Sequence, residues 1–346
     1  MSSKKIDIRS LKKNELIKFL NDFNYEPYRA QQILSRVNSQ QIDSFEKITN
    51  IPKDLIQLLD KNFFLSSTLI HQFQKSSDLT FKFSIKLHDN LIIEAVLIPT
   101  EKRITACVSS QVGCSLDCNF CATSRLKRIR NLESYEIYDQ IMLLNNESLK
   151  SFSKPISNIV FMGMGEPLLN YNNVIHSIDL ITGNQGLGIS KKKITLSTSG
   201  IFKMIKKMAD DNVKFNLAIS LHSGIEETRN QIMPFSKSFP LKKLIDSLEY
   251  WYLKTKIKIT FEYLVWKDIN DDFEHINALV KICKRIPSKV NLIEYNSIND
   301  ERFISADQTW IDNYVNSLRE NNIQVSVRRS RGKDIDAACG QLANKH

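Results

Sequence analysis

The sequence predicts an α/β fold: a partial parallel (β/α)6 barrel with an N-terminal helical domain and a β-hairpin extension. Residues 1–65 show helical periodicity with no strand pattern between the helices, and residues 66–102 contain two alternating apolar segments around a short polar turn. Residues 103–346 alternate strand candidates with helical segments. Strand, helix and strand in repeated succession are typical of a parallel sheet with right-handed crossovers.

The N-terminal domain is predicted to contain three helices. The first begins near a potential capping residue, Ser10, the second follows Pro27, and the third starts at Pro52. Serine favours the position before a helix and proline the first turn, because the first turn leaves its N–H groups unpaired. Lysines and arginines occupy the polar faces of these helices, so the domain is basic as well as helical.

The hairpin extension is predicted from two segments, "LTFKFSIKL" at 79–87 and "LIIEAVLIP" at 91–99, which flank the polar turn "HDN". Apolar and polar residues alternate in both, as in strands with one buried face. Glu94 lies inside the second segment. By strand pattern alone, a single carboxylate at such a position is expected to face solvent.

Seven strand candidates follow Arg103: "TACVSSQ", "ISNIVFMG", "KITLSTSG", "FNLAISLH", "KITFEYLVW", "VNLIEYN" and "IQVSVRRS". Helical periodicity separates most of them, as in "YEIYDQIMLLNN" and "LKKLIDSLEYWYLK". Several candidates end in short polar or glycine-containing loops. Ligands bind at this carboxyl edge in parallel α/β folds, so the loops are the expected site.

Composition narrows the class of protein. Lysine and arginine outnumber acidic residues by 48 to 38 in 346 residues, and the net charge of +10 favours polyanionic partners such as nucleic acid. A generally basic proteome or a solubility device is the alternative.

No stretch approaches the roughly 18 apolar residues that a membrane helix needs, and "MSSKKIDIRS" lacks the apolar core of a signal peptide, so we expect a cytoplasmic protein with no membrane partner. The six cysteines should then stay reduced, which favours metal binding or catalysis over disulfides.

Three cysteines, Cys114, Cys118 and Cys121, follow the first barrel strand in C-x-x-x-C-x-x-C spacing. A structural zinc site uses four ligands, and a ferredoxin cluster takes a fourth cysteine nearby. Three cysteines suit a 4Fe-4S cluster in which one iron has no protein ligand and can bind substrate. A zinc site and coincidental clustering are the alternatives.

Other residues at strand ends are candidates for ligand binding. In "NIVFMGMGEP", Gly163 and Gly165 let a ligand approach the backbone closely, and Glu166 supplies a carboxylate suited to an ammonium group. The further candidates are Ser197 in "TLSTSG", Ser220, Leu221 and His222 in "AISLHSG", and Asn296 in "IEYNS". Taken singly, each could be an ordinary capping or turn residue.

Three more cysteines lie outside the C-x-x-x-C-x-x-C spacing. Cys107 lies on the strand that leads into the three-cysteine loop, and Cys339 lies just beyond the last predicted strand. Both can therefore reach the carboxyl face of the sheet. A buried small apolar residue is the alternative for each, and it is the preferred interpretation of Cys283, which lies on an amphipathic helix.

Five segments together resemble the dual-specificity 23S rRNA and tRNA adenine carbon-2 methyltransferases of the radical S-adenosylmethionine (SAM) superfamily: "CVSSQVGCSLDCNFCAT", "FMGMGEPLLN", "TLSTSG", "AISLHS" and "DIDAACGQL". The similarity runs from the helix containing "YRAQQIL" to the C-terminal cysteine loop. "MGMGEPLLN" and "CVSSQVGC" look more like the carbon-2 branch than like the carbon-8 methyltransferases that confer antibiotic resistance. A carbon-8 enzyme is the alternative within the family.

The resemblance implies one 4Fe-4S cluster, two SAM molecules per turnover and a set of site residues. It places the cluster on the three closely spaced cysteines and assigns SAM binding to Gly165, Glu166, Ser197, Ser220, Leu221, His222 and Asn296. In the family, one SAM methylates the thiolate matching Cys339, and a second yields a 5′-deoxyadenosyl radical that takes hydrogen from the S-methyl group. The carbon radical adds to adenine carbon 2. The carboxylate matching Glu94 then removes the carbon-2 proton, and the thiol matching Cys107 attacks the Cys339 sulfur, which forms a disulfide and releases methylated RNA.

The resemblance also implies partners. Two of them are RNA substrates: 23S rRNA is modified at the peptidyl-transferase centre, and tRNA is modified in the anticodon loop. The third is an external reductant such as flavodoxin or ferredoxin. We expect a monomer. The N-terminal domain resembles a helix-hairpin-helix-like RNA-binding domain, with simple packing against the barrel as the alternative. The basic segment from Arg125 to Arg130 either contacts phosphate or is a solvated loop, and Ser124 stands where many relatives carry glycine.

Two interpretations from other classes stay open. A non-enzymatic iron-sulfur RNA-binding protein would bind SAM weakly or not at all, and a zinc-stabilised structural protein would be colourless. Both leave Cys107, Glu94 and Cys339 without a role.

Overall fold

The centre of the molecule is a ten-stranded sheet with a parallel and an antiparallel part. The computed structural model describes residues 5–39, 42–66, 68–183 and 186–344, so the first four residues of the predicted helical domain and the last two of the predicted barrel lie outside the description. Within the described residues, seven strands of the sheet run parallel to their neighbours and three join antiparallel at one side. This arrangement confirms the predicted α/β class.

The N-terminal region folds around an apolar core of its own. Its elements are β1 (Ile6–Asp7), α1 (Lys13–Asp22), α2 (Tyr28–Ser39), α3 (Lys53–Asn62) and β2 (Phe63–Phe64). The apolar stripes of the helices meet in a cluster of fully buried side chains that includes Leu16, Leu20, Ile33, Leu55 and Leu59.

The capping residue of the first helix is Lys12, two residues after the predicted cap, Ser10. Ser10 ends a short 3-10 turn, and Glu15 Oε2 instead accepts a hydrogen bond of 2.6 Å from the backbone N–H of Lys12, which satisfies one of the free donors at the start of α1. Pro52 precedes α3, close to its predicted position.

The antiparallel part contains β3 (Leu69–Lys75), β4 (Phe81–Lys86) and β5 (Ile92–Pro99). The two predicted hairpin strands correspond to β4 and β5, whereas β3 was absent from the prediction. Its side chains are mostly exposed, Leu69 by 60% and Phe73 by 62%, because it lies at the edge of the sheet. An edge strand with little burial lacks the apolar alternation that marks a half-buried strand.

The barrel begins with β6 (Ile104–Cys107) and the short strands β7 (Gln111–Val112) and β8 (Arg130–Asn131). The remaining elements are α4 (Ser134–Phe152), β9 (Asn158–Phe161), α5 (Tyr171–Thr182), β10 (Ile194–Thr198), α6 (Phe202–Asp210), β11 (Asn216–Ser220), α7 (Glu226–Ile232), α8 (Leu241–Thr255), β12 (Ile259–Leu264), α9 (Phe273–Arg285), β13 (Ser288–Ile293), α10 (Gln308–Glu320) and β14 (Gln324–Arg328). The sheet order is β14-β13-β12-β11-β10-β9-β6-β5-β4-β3. Six strand-helix units followed by a seventh parallel strand agree with the predicted partial barrel.

The strand register decides which side chains share a face of the sheet. Ile159 and Phe161 of β9 are buried in the apolar core with residues of the covering helices, so Val160 between them lies on the opposite face, here called the inner face. Cys107 is paired with Val160 of β9 and with Val96 of β5. Residues directly opposite each other point to the same side, so the thiol of Cys107 lies on the inner face.

A buried ion-pair network joins the N-terminal region to the barrel. Arg9 is 6% exposed; its Nη1 lies 3.0 Å from Asp139 Oδ2 on α4, and its Nη2 lies 3.2 Å from Asp7 Oδ2. Arg9 also donates to the backbone carbonyl of Ser66 at 2.7 Å, and its guanidinium lies 4.5 Å from the ring centroid of Tyr135. The network fixes how the N-terminal helices sit on α4.

Candidate active site

The three closely spaced cysteines lie on a loop of residues 113–125, here called the cluster loop. Strands β7 and β8 pair antiparallel and hold its two ends together. Gly113 has a φ of +74°, and a Cβ at this position would lie 2.4 Å from the carbonyl oxygen of Lys127. The loop therefore needs glycine where it leaves β7.

Burial and neighbouring thiols keep Cys114 and Cys118 from ionising without a ligand. Burial raises the pKa of Cys114 to about 12, with the Cys121 thiol as a further cause, and burial and both neighbouring thiols raise the pKa of Cys118 well above its ordinary value. Cys114 Sγ accepts a hydrogen bond of 3.4 Å from the backbone N–H of Leu116. Phe120 and Trp266 pack beside the loop, with ring centroids 5.1 Å apart.

This donor set fits an iron-sulfur cluster. Among the described residues, no three His, Cys, Asp or Glu side chains are placed to hold one metal ion. In a 4Fe-4S cluster each cysteine binds a different iron, so the three thiolates need not converge on a single point. The backbone N–H of Leu116, which donates to Cys114 Sγ, and the rings of Phe120 and Trp266 are surroundings of the kind that tune the reduction potential of such clusters.

Glu166 and Gly165 lie at the end of β9, beside the cluster loop. Glu166 is 2% exposed, and its carboxylate accepts hydrogen bonds from the backbone N–H groups of Leu168 at 3.0 Å and Ser199 at 2.8 Å. Burial raises the pKa of Glu166 although these hydrogen bonds oppose the rise. Gly165 has a φ of +94°, and a Cβ there would lie 2.5 Å from the Cβ of Gln111.

The strand-end residues of β10 and β11 lie at the same edge. Ser197 and Ser220 are half-buried, and Leu221 is fully buried. His222 is 2% exposed, has a φ of +57°, and accepts a hydrogen bond at Nδ1 from the backbone N–H of Leu264 at 3.2 Å. Burial lowers the pKa of His222 to about 3. The ring is therefore neutral at pH 7 and carries its proton on Nε2, as a hydrogen-bond donor.

Asn296 joins the carboxyl edge of β13 to the loop that carries Cys339. Its Nδ2 donates to the backbone carbonyl oxygens of Glu294 and Cys339, both at 3.3 Å. Its Oδ1 is buried and has no hydrogen-bond partner among the described residues. An unpaired buried acceptor is expected where a polar ligand binds.

The loop of Cys339, residues 329–344, is attached to the cluster loop. The backbone N–H of Ala122 donates to the carbonyl oxygen of Gly340 at 2.7 Å, and Thr123 Oγ1 donates to the carbonyl oxygen of Leu342 at 2.6 Å. All six cysteines of the chain are free thiols in the structure. The hydrogen bonds hold Cys339 beside the cluster loop.

The thiols of Cys107 and Cys339 both have raised pKa values. Burial raises the pKa of Cys107, and the Cys339 thiol raises it further. Cys339 is exposed as a residue, yet the protein around its sulfur raises the pKa of its thiol to about 11, with Glu262 as a further cause. The structure thus brings together two thiols that are far apart in the sequence.

Glu94 does not face solvent, so the expectation from its strand pattern is wrong. It is fully buried on β5, two residues from Val96 and therefore on the inner face. Its Oε2 accepts hydrogen bonds from the backbone N–H groups of Ala343 at 2.8 Å and Asn344 at 3.1 Å. The strand is not half-exposed because β4 and β6 flank it and the C-terminal segment covers its inner face.

Sequence reasoning missed three buried charged residues at this site. Arg229 on α7 is 2% exposed and donates to the backbone carbonyl oxygens of Ser199 at 2.6 Å and Ser220 at 3.0 Å. Burial lowers the pKa of Arg229 to about 10, and its charge favours the thiolate of Cys118. Its Nε is buried without a partner among the described residues.

The other two are Lys82 and Glu262. Lys82 on β4 is 4% exposed, with its Nζ 3.5 Å from Glu94 Oε1. Glu262 on β12 accepts a hydrogen bond of 2.7 Å from Asn291 Nδ2, and burial raises its pKa. In the sequence, Lys82 and Glu262 each appear as a charged residue inside an apolar strand. That pattern predicts burial only when the oppositely charged or hydrogen-bonding partner is known.

The basic segment after the cluster loop is partly committed to internal ion pairs. Arg130 bridges Asp89 and Glu136, each at 2.7 Å, and Arg125 lies 3.0 Å from Asp300. Lys127 and Arg128 are exposed. Arg130 is thus a structural residue, whereas Lys127 and Arg128 remain candidates for phosphate contact.

Two further findings bear on the expected class of protein. Cys283 is buried in the apolar core of the barrel, as its position on an amphipathic helix indicated. Among the described residues, none of the helices has the length and apolar character needed to span a membrane.

Comparisons with known proteins identify relatives over the whole chain. Residues 108–280 match the radical SAM superfamily, and residues 6–65 match the ribosomal RNA large subunit methyltransferase N-terminal domain. Two proteins named probable dual-specificity RNA methyltransferase RlmN, from Flavobacterium psychrophilum and Flavobacterium johnsoniae, are each 59% identical over 345 residues, which cover 100% of this chain and 99% of the relative.

A solved structure extends the similarity to three dimensions. A radical SAM methyltransferase from Sphaerobacter thermophilus has a TM-score of 0.89 and 30% sequence identity, and the match covers 98% of this chain and 100% of that one. Sequence identity over the full length and the shared fold therefore lead to one conclusion: the chain belongs to the dual-specificity RNA methyltransferase family of the radical SAM superfamily.

Proposed function

We propose that this chain methylates carbon 2 of an adenine in 23S rRNA and in tRNA, by way of a methylated Cys339 and a transient covalent bond to the RNA. The observation that carries the proposal is the arrangement of Cys107, Cys339 and Glu94. Cys107 and Glu94 share the inner face of the sheet, and the loop of Cys339 is hydrogen-bonded both to the cluster loop and to the Glu94 carboxylate. A cluster-binding or purely structural protein has no use for two unligated thiols and a buried carboxylate on one face of a barrel.

The residues of the carboxyl edge fit the cofactors of the family. Cys114, Cys118 and Cys121 would hold the 4Fe-4S cluster, and the SAM-binding set would be Gly165, Glu166, Ser197, Ser220, Leu221, His222 and Asn296. Two buried unpaired atoms, Asn296 Oδ1 and Arg229 Nε, support a polar ligand at this edge. Bound together, cluster and SAM supply the hydrogen-abstracting radical chemistry that an electron-poor ring carbon requires.

Cys339 carries the methyl group that becomes the link to RNA. Its thiol must lose a proton before it can take a methyl group, because the thiolate is the nucleophile. The tethers of its loop to Ala122 and Thr123 keep its sulfur beside the cluster loop during both stages.

Glu94 and Cys107 would act after the link to RNA has formed. Glu94 would accept the proton from adenine carbon 2, and the adduct would give up its unpaired electron, for which the oxidised 4Fe-4S cluster would be the acceptor. The Cys107 thiolate then attacks the Cys339 sulfur; the electron pair of the carbon–sulfur bond passes to the transferred carbon, which takes a proton and becomes the methyl group. The two cysteines are left as a disulfide, which two electrons and two protons from the external reductant, flavodoxin or ferredoxin by class, return to thiols.

RNA binding would use the basic N-terminal domain and the exposed Lys127 and Arg128. The net charge of +10 supplies the electrostatic attraction to phosphate. Because the substrates are RNA, we place the enzyme in the cytoplasm. It would act as a monomer.

The carbon-8 alternative is not favoured, because the relatives described above carry the dual-specificity name. A nucleoside digest separates the two: mass spectrometry of RNA modified by this enzyme should give 2-methyladenosine. 8-Methyladenosine as the product would contradict the assignment.

The decisive experiment on the proposed route uses two cysteine variants. Cys107→Ala should trap a covalent protein–RNA adduct that survives a denaturing gel and disappears after nuclease treatment, because no thiol is left to cut the bond. Adding Cys339→Ala should abolish that adduct, and Cys283→Ala is the matched control for a buried cysteine outside the site. If a folded, cluster-loaded Cys107→Ala protein forms no nuclease-sensitive adduct, the methyl-cysteine route is wrong for this chain.

A further inference from the structure

Lys82 is a buried lysine that the proposed reaction does not yet use. Its side chain is 5% exposed, and its Nζ lies 3.5 Å from Oε1 of Glu94, whose side chain is 1% exposed. An ammonium group is costly to bury unless an opposite charge compensates it. Burying an apolar residue at this position would cost less free energy than burying the ion pair.

The two oxygens of Glu94 differ in their surroundings. Oε2 is bound by the backbone N–H groups of Ala343 and Asn344. Oε1 is buried and has no hydrogen-bond partner among the described residues. The ammonium of Lys82 lies just beyond ordinary hydrogen-bond distance from Oε1, so it attracts the charge of the carboxylate while a lone pair stays open to accept a proton.

The sheet register places Lys82 with the reacting groups. Lys82 of β4 is paired with Val96 of β5, and Val96 is paired with Cys107 of β6. Residues directly opposite each other share a face, so the side chains of Lys82 and Cys107 lie on the inner face, as does Glu94 two residues from Val96. Lys82 thus stands at the same face as the thiol that resolves the adduct.

We propose that Lys82 is a positioning residue for the deprotonation step: its ammonium attracts the Glu94 carboxylate and holds Oε1 in place to take the carbon-2 proton. This inference rests on the proposed function. In the step, the carbon–hydrogen bond at carbon 2 breaks, its electron pair stays in the adduct, and the proton bonds to Glu94 Oε1. No oxidant or reductant enters this proton transfer.

Other groups around Glu94 contribute less charge. Within the described part of the chain, the Cys107 thiol shares the inner face with Glu94, and the Cys339 thiol belongs to the segment that covers it. Burial raises the pKa of both thiols, so both are neutral before reaction. Met164 Sδ accepts the backbone N–H of Glu94 at 3.3 Å, and the C-terminal contacts are backbone amides. Lys82 is the cation against which Glu94 is held in the described structure.

The test follows the fate of the carbon-2 hydrogen in full-length, cluster-loaded protein. Lys82→Met and Lys82→Gln remove the charge, Lys82→Arg keeps it, and Lys86→Met on the same strand is the control, because Lys86 is exposed. The substrate is an RNA oligomer with deuterium at carbon 2 of the target adenine. Adduct is quantified on denaturing gels, and its deuterium content is read by mass spectrometry as a function of time.

We expect Lys82→Met and Lys82→Gln to accumulate adduct that retains deuterium, with proton removal slower by at least about tenfold, the factor that about 1.4 kcal/mol produces. Lys82→Arg should restore the rate of proton removal towards that of Lys86→Met, because it returns a cation to the position beside Oε1. Cys107→Ala should accumulate adduct that has lost deuterium.

Two results would overturn the inference while leaving the proposed function intact. One is proton removal at the Lys86→Met rate in either charge-removing variant. The other is loss of folding or of the cluster in both variants and in Lys82→Arg, which would make the pair purely structural. Absence of adduct from Cys107→Ala would overturn the proposed function itself.

Discussion

Gly165→Ala tests whether the glycine beside Glu166 is required by geometry. Gly165 has a φ of +94°, and an added Cβ would lie 2.5 Å from the Cβ of Gln111 and 2.7 Å from its Cγ. Gln111 cannot move freely, because its Oε1 accepts the backbone N–H of Glu166 at 2.9 Å and its Nε2 donates to Asn131 Oδ1 at 2.8 Å. Alanine must therefore displace the side chain that holds the backbone of Glu166.

The expected loss of stability has two parts. A non-glycine residue in the left-handed region costs about 1–2 kcal/mol, and forcing an extra carbon into a packed site costs about 1–3 kcal/mol. The free energy of unfolding should then fall by about 2–5 kcal/mol, the sum of these ranges. Gly188→Ala is the matched control: its φ is +62°, and nothing lies within 4 Å of the added Cβ, so only the first part applies.

Two measurements check this reasoning. Denaturant unfolding gives the free energy of unfolding for the wild type, Gly165→Ala and Gly188→Ala. Titration calorimetry on cluster-loaded protein should show weaker SAM binding for Gly165→Ala and unchanged SAM binding for Gly188→Ala. Equal stability losses in the two variants, or unaltered SAM affinity in Gly165→Ala, would refute the argument that the Gln111 contact positions Glu166.

Three further predictions address the cluster, a buried histidine and RNA. Replacing Cys114, Cys118 or Cys121 by alanine should abolish the iron-sulfur absorbance and SAM cleavage, because thiolates hold the iron. The control variant Cys283→Ala should keep both. A cysteine variant of the cluster loop that retains a full cluster would contradict the assignment. Burial lowers the pKa of His222 from 6.5 to about 3 in the folded protein. The unfolded chain therefore binds this proton more tightly than the folded protein does, and the free energy of unfolding falls as the pH drops below 6.5. The loss should reach about 1.4 kcal/mol per pH unit, and His222→Gln should lack it in acid unfolding curves; identical curves would count against a neutral buried ring. RNA affinity should fall steeply with salt, and Lys127→Ala or Arg128→Ala should each lower the log–log slope by about one, whereas a slope near zero would remove phosphate contact as the source of affinity.

Local sequence determined the class of fold and the kind of cofactor. Strand and helix periodicities depend on which residues recur along a short segment, so the order of six strand-helix units could be predicted without knowing any long-range contact. The three cysteines of the cluster loop lie within eight residues, and their spacing alone indicates a cluster with an open iron. Family resemblance added the proposed roles of Cys107, Cys339 and Glu94, which periodicity could not assign.

Tertiary structure decided what depends on residues far apart in the chain. Strand β3 is held by pairing with β4 and not by its own pattern, so the sequence of the edge strand did not predict it. The burial of Glu94 depends on Lys82, on a second strand, and on Ala343 and Asn344, some 250 residues away. From the sequence, Arg130 was a candidate for phosphate contact, whereas the fold pairs it with Asp89 and Glu136. In each case a side chain's surroundings are set by sheet register and loop closure, which bring together segments that no local pattern relates.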